Sequence, residues 1–187
     1  MIMMMLSDPL FAWIAALLLA LTFARAAWHK LTDLDMFRAI AEAYELLPAR
    51  LVHIAAPLLV ACEAGLALAL LVPSWRAPAA FGAVVLLLAY AAAITINLLR
   101  GRTDIDCGCG GSGEGLSWLL VVRNLALAAA GGALAVGQAG PLDWSLVSLA
   151  AVALSVASLW LLMLAVEQLA GNNAHLRQLA SQLREGR

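Results

Sequence analysis

Charged residues are scarce in this chain of 187 residues. Asp, Glu, Lys and Arg together make up 12% of the sequence, whereas hydrophobic residues make up 64% and the mean hydropathy is +0.93. A soluble domain is closer to a quarter charged and half apolar. The scarcity therefore excludes a sizeable soluble domain and predicts an integral membrane protein in a lipid bilayer. No cluster of basic residues indicates a nucleic-acid partner.

Cysteines and N-terminal basic residues are also few. The cysteines Cys62, Cys107 and Cys109 are too few for a small secreted scaffold held together by disulfides. No Lys or Arg precedes Arg25, so the first apolar run lacks the basic n-region of a cleaved signal peptide. We expect this run to be retained as a membrane helix.

Long apolar runs make up most of the remaining sequence. A helix needs about 20 apolar residues to cross the hydrocarbon core, and backbone groups in lipid must be hydrogen-bonded internally. The predicted fold class is all-α: a polytopic membrane bundle of about five transmembrane helices, with one amphipathic surface helix. The predicted spans are 9–31, 49–72, 78–99, 117–138 and 143–166.

The surface helix is predicted between the first two spans. Apolar residues recur there at helical spacing from Leu34 to Leu47, with charged residues between them. This pattern is typical of a helix lying on the membrane, and Pro48 is expected to end it. The alternative is a plain extension of the first span.

The C-terminal segment differs in composition from the bundle. The chain is polar from about Glu167, and leucines recur there every seven residues. This pattern predicts either a short amphipathic helix that pairs with a partner or a solvated tail. We therefore divide the chain into a transmembrane bundle over 1–166, with a polar loop at 100–116, and an amphipathic tail over 167–187.

The polar loop carries two of the three cysteines, and a single glycine separates Cys107 from Cys109. Closing so small a ring strains a disulfide, and strained disulfides are easier to reduce and exchange faster. A redox dithiol, a soft-metal site and a structural pair are the three interpretations. The many loop glycines let a partner approach closely and favour the first. Zinc or copper needs more ligands than this loop supplies, so no metal is expected.

Several polar residues at membrane depth are predicted to converge beneath this loop, because their helix ends share one side of the bundle. A charged residue in a span is costly and indicates either function or a compensating partner. Glu63 could simply pair with Arg25 or Arg123. Cations near the loop would instead favour the reactive thiolate, and the two histidines could carry protons. The cluster comprises Arg25, His29, His53, Glu63, Asn97 and Arg123.

The loop and the preceding helix end contain the motif Asn97-Leu98-Leu99-Arg100-Gly101-Arg102 and Asp106-Cys107-Gly108-Cys109-Gly110-Gly111. This motif resembles that of the MauE family of DoxX-like, redox-associated membrane proteins. Softer matches are Lys30-Leu31 with Phe37, the Leu46-Leu47-Pro48 segment, and Glu63, and the resemblance covers about residues 10–166. One departure is Gly111, where many relatives have a larger residue.

The resemblance implies a helical bundle in the bacterial inner membrane and a role in maturing a disulfide-rich periplasmic client, such as the small subunit of methylamine dehydrogenase. It implies a thioredoxin-like, MauD-type partner and makes Cys107 and Cys109 the redox pair. No cofactor is expected, although a quinone-linked oxidase is a close variant of the same function. A non-catalytic anchor for the partner and a small-substrate transporter are the alternatives.

The side of the membrane that the cysteines face is left open by the sequence. Ten basic residues lie on the side of the cysteine loop and only Arg76 on the other. The positive-inside rule then places the loop in the cytoplasm. The periplasmic client implied by the family resemblance favours the reverse.

Overall fold

The structure, a computed structural model, describes residues 8–103, 105–106, 115–137, 140, 142–143 and 145–185. For 167 and 169–185 it describes only the helical backbone. The described residues form six helices and no strand. The helices are α1 Pro9–Thr32, α2 Leu34–Ala43, α3 Ala49–Leu71, α4 Arg76–Leu99, α5 Trp118–Val136 and α6 Leu146–Glu185.

Five of these helices are long and apolar enough to cross a membrane: α1, α3, α4, α5 and the Leu146–Val166 part of α6. This confirms the predicted all-α bundle. Many large apolar side chains lie on its outer surface, among them Leu58, Leu68 and Phe81. In water such a surface would be unstable, whereas lipid tails solvate it. The chain is therefore a multi-pass membrane protein.

The short helix α2 confirms the predicted surface helix and excludes a plain extension of α1. Asp33 separates the two helices, and its side chain accepts a hydrogen bond from the Met36 N–H at 2.9 Å. The predicted end at Pro48 is wrong, because α2 ends at Ala43 and Glu45 adopts a left-handed backbone with φ of 49°. Pro48 instead caps the start of α3.

Small residues bring the spanning helices together. α4 and α5 form the most extensive interhelical contact, and α1 and α3 form the next. Ala16, Ala80 and Ala83 are fully buried in the largest core cluster. A Cβ added at Gly131 of α5 would lie 3.1 Å from a methyl group of Val84. This close packing fixes the ends of α4 and α5, between which the cysteine loop lies.

Candidate functional site

The two ends of the cysteine loop meet at a short stem. Asp106 and Gly115 form an isolated antiparallel bridge, and the Leu116 N–H donates to the Ile105 carbonyl at 3.1 Å. Cys107 and Cys109 lie between these ends, outside the described residues. The stem nevertheless shows that the segment carrying both thiols leaves and returns at one point of the bundle.

The stem is anchored on an apolar base. Leu116 is buried in a cluster with Ala91, Ile94 and Leu120, and Ile105 packs against the same cluster. Burying these side chains stabilises the stem by the hydrophobic effect. The loop is therefore attached to the core through α4 and α5.

The end of α4 directs the chain into this stem. Gly101 has φ of 74°, its N–H donates to the Leu98 carbonyl at 3.0 Å, and the Arg102 N–H donates to the Asn97 carbonyl at 3.0 Å. Together these contacts form a Schellman C-cap, in which glycine takes the left-handed position. The Asn-x-x-x-Gly-Arg part of the sequence motif thus has a structural role in ending the helix.

An ion pair ties α2 to the start of the loop. Arg102 donates to the Glu45 carboxylate at 2.5 Å and to the Ala43 carbonyl at 3.4 Å. The hydrogen bond and charge of Arg102, together with the nearby charge of Arg100, lower the pKa of the Glu45 carboxyl. Arg102 is one of the cations near the loop, and the structure places its guanidinium on Glu45.

Because the pKa of Glu45 is lower in the folded protein, the pair with Arg102 adds stability above the ordinary carboxyl pKa of about 4.3. That contribution is lost as the pH falls through the lowered value. We expect Glu45→Gln to lower the melting temperature slightly at pH 7 and by less at pH 3, where more of the carboxyl group is protonated. Arg102→Gln should reduce the pH 7 value by a similar amount, as thermal unfolding in detergent can measure. A Glu45→Gln deficit that was as large at pH 3 as at pH 7 would contradict this account.

A buried ion pair lies deeper in the bundle. Lys30 of α1 pairs with Glu63 of α3, and these side chains are 3% and 0% exposed. Tyr90 of α4 completes a triangle: its hydroxyl donates to Glu63 Oε1 at 2.5 Å and accepts from Lys30 Nζ at 3.2 Å. Three helices are thereby linked by polar contacts inside an apolar bundle. Such intramembrane ionisable groups are expected to be paired in this way.

Lys30 is a functional candidate that the sequence reasoning missed. It was noted only as part of the family resemblance, and Arg25 or Arg123 was considered as the partner of Glu63. Yet Lys30 lies seven residues after Phe23 and three residues after Ala27, along the stripe of α1 that is buried. That helical spacing was the available signal that Lys30 faces inward.

Three residues of the predicted polar cluster do converge. Arg25, Glu63 and Arg123 line one small cavity of about 20 Å³, together with Asn124 and Tyr90. Glu63 Oε2 is buried and accepts no hydrogen bond from the described residues. A cavity of this size holds about one water molecule. The carboxylate thus has one oxygen in the Lys30–Tyr90 triangle and a second oxygen without a hydrogen-bond partner among the described residues.

The other three members lie elsewhere. Asn97 is fully buried on α4, where its Nδ2 donates to the Ala93 carbonyl at 3.1 Å. His29 is exposed, and His53 is 64% exposed with its Nε2 3.9 Å from Glu42 Oε1. Cys62 is also exposed, on the face of α3 away from the core. No group of three metal-ligating side chains occurs in the part of the chain that the structure describes.

These features define a class: a polytopic helical membrane protein in which the Asp106–Gly115 bridge closes the base of a polar loop and an ion pair is buried in the bundle. The family model for "Methylamine utilisation protein MauE" matches residues 8–137. The chain is 39% identical to a methylamine utilization protein MauE of Paracoccus denitrificans, over 97% of this chain and 98% of the relative. It is 43% identical to one from Methylophilus methylotrophus, over 82% and 81%. No solved structure gives a significant match. The chain belongs to the MauE family.

Proposed function

We propose that this protein is a membrane thiol–disulfide relay of the bacterial inner membrane. Cys107 and Cys109 would exchange with a thioredoxin-like partner during maturation of a cysteine-rich periplasmic client. The names of the relatives connect them with methylamine utilisation, so the small subunit of methylamine dehydrogenase is the client to test first. The observation that supports the proposal is the Asp106–Gly115 bridge, which joins the two ends of the glycine-rich segment whose sequence contains both cysteines.

The exchange balances without a further reactant. A thiolate of the incoming dithiol attacks the Cys107–Cys109 disulfide, forming a mixed disulfide and releasing one loop thiolate. The second thiol of the incoming protein then resolves the mixed disulfide. The incoming dithiol leaves as a disulfide, and the loop keeps the two electrons and two protons as two thiols. Exchange with an oxidised partner reverses these steps and restores the loop disulfide.

The test replaces each loop cysteine by serine in a host that lacks the native gene. We expect Cys107→Ser and Cys109→Ser to reduce disulfide formation in the client by at least about tenfold, because one thiol cannot complete the exchange. The measurement is alkylation of client thiols followed by mass spectrometry. Cys62→Ser is the matched control, since Cys62 lies outside the loop, and it should behave as the parent.

Two further measurements sharpen this test. A loop variant that leaves client disulfides intact while the partner still co-purifies would favour the anchoring function instead. That alternative has its own support, because α6 continues as a helix to Glu185, well beyond the Leu146–Val166 span. Labelling with an impermeant maleimide in intact cells and inverted vesicles reports the side that the loop faces. Labelling confined to inverted vesicles would contradict direct periplasmic exchange.

A further inference from the structure

A second, larger cavity lies between α2, α3 and α4. Its volume is about 300 Å³, at the lower end of the range for ligand pockets. The walls are almost entirely apolar and include Ile40, Tyr44, Ala56, Leu59 and Ala93. A cavity of this composition suits a lipid-soluble molecule rather than a water-soluble one.

One end of this cavity is polar. Among the described residues that line it, Lys30 is the only charged one, and Tyr90 lies beside it. An ammonium group has three N–H donors. Glu63 and Tyr90 accept from Lys30, and the ammonium also lies 4.9 Å from the ring centroid of Phe37. No third oxygen or nitrogen acceptor occurs among the described residues, so a buried donor is available where the cavity begins.

The charge balance of the site determines which kind of acceptor group can bind to this donor. Lys30 is already neutralised by Glu63. A carboxylate or phosphate entering the cavity would therefore bring an uncompensated negative charge into an apolar site, which is costly. A neutral carbonyl oxygen could accept the hydrogen bond without that cost. The ligand chemistry is thus an apolar body that ends in a neutral carbonyl.

The cavity also adjoins the stem of the cysteine loop. Ile94 lines the cavity and belongs to the cluster that buries Leu116, and Tyr44 lines the cavity and packs against the same cluster. A ligand between these residues and Lys30 would lie directly below the point where the loop begins and ends.

We propose that this cavity binds a lipid-soluble quinone, with one ring carbonyl accepting from the Lys30 ammonium and the ring and proximal tail among the apolar side chains. Lipid-soluble quinones combine a neutral carbonyl with a long apolar body, as this site requires. The inferred event is binding, and it does not depend on the thiol chemistry of the loop.

The test uses the full chain in immobilised lipid nanodiscs, with decylubiquinone as the probe and decanoic acid as the charged comparison. Ala93→Phe and Ala55→Phe each fill the cavity, from α4 and α3 respectively. Ala92→Phe and Ala61→Phe are the matched controls, because they lie on the same helices and are exposed. Retained probe is quantified by mass spectrometry against empty nanodiscs, and the melting temperature identifies any variant that does not fold.

We expect the parent to retain decylubiquinone, each folded cavity-filling variant to bind it at least about tenfold more weakly, and the controls to match the parent. The parent should bind decanoic acid at least about tenfold more weakly than decylubiquinone. Equal binding by the filled and control variants would overturn the proposed site, and equal binding of the two probes would overturn the proposed chemistry. The Cys107→Ser/Cys109→Ser variant should bind normally, so failure of the relay and failure of this site are distinguishable.

Discussion

Replacing Lys30 by methionine is expected to destabilise the bundle by about 3–5 kcal/mol, because it leaves the buried Glu63 carboxylate without its counter-charge. Glu63→Gln should cost a similar amount by leaving the Lys30 ammonium uncompensated. The double variant Lys30→Met/Glu63→Gln should lose much less unfolding free energy than the two single variants lose together. It removes both buried charges and keeps a hydrogen-bonding group next to Tyr90. Unfolding by SDS titration, followed by circular dichroism, measures all three free energies.

Arg50→Met is the control for loss of one positive charge. Arg50 is exposed at the start of α3, and substitutions at such positions change stability by less than about 0.5 kcal/mol. Suppose that the double variant instead lost as much unfolding free energy as the two single variants together. In that case Lys30 and Glu63 would not be coupled, and the buried triangle would not hold the three helices together.

The membrane spans could be predicted from sequence because lipid imposes a simple length rule on apolar helices. The predicted spans 49–72 and 78–99 differ from α3 and α4 by at most two residues at either end. The surface helix was also predictable, from the helical spacing of its apolar residues, whereas the residue at which it ends was not. The chain leaves helical geometry at Glu45, whose positive φ of 49° is rare for a residue with a side chain and has no sequence signature.

The partner of Glu63 was harder to predict, because charge alone does not say which basic residue reaches a carboxylate. Lys30 lies near the end of α1 and Glu63 lies in the middle of α3, so they meet only because α1 ends at the depth of that position. His29 precedes Lys30 in sequence yet is exposed, since neighbouring helical residues point about 100° apart. The depth at which antiparallel helices align depends on packing along their whole length, which local patterns do not encode.

Gly115, at the base of the cysteine loop, is the second position where a single substitution is expected to have a large effect. A Cβ at this position would lie 2.5 Å from the Thr103 carbonyl oxygen. That atom belongs to the backbone, so no side-chain rotation can relieve the clash. We expect Gly115→Ala to separate the two ends of the loop and to break the hydrogen bond from the Leu116 N–H to the Ile105 carbonyl. Because thiol exchange needs a positioned dithiol, the exchange rate with a thioredoxin-like reporter should fall by about tenfold or more, although both cysteines remain.

Two measurements distinguish this positional effect from general unfolding. Hydrogen exchange at the Leu116 amide should accelerate in Gly115→Ala, while amides in the middle of α4 and α5 stay protected. Gly132→Ala is the control, because a Cβ there meets no atom within 4 Å; alanine in a helix interior is favoured over glycine by about 0.5–1 kcal/mol. Thiol exchange should be unchanged in that control. A Gly115→Ala protein whose Leu116 amide exchanges hydrogen faster while its thiol exchange stays normal would show that the stem at the base of the loop does not position the thiols.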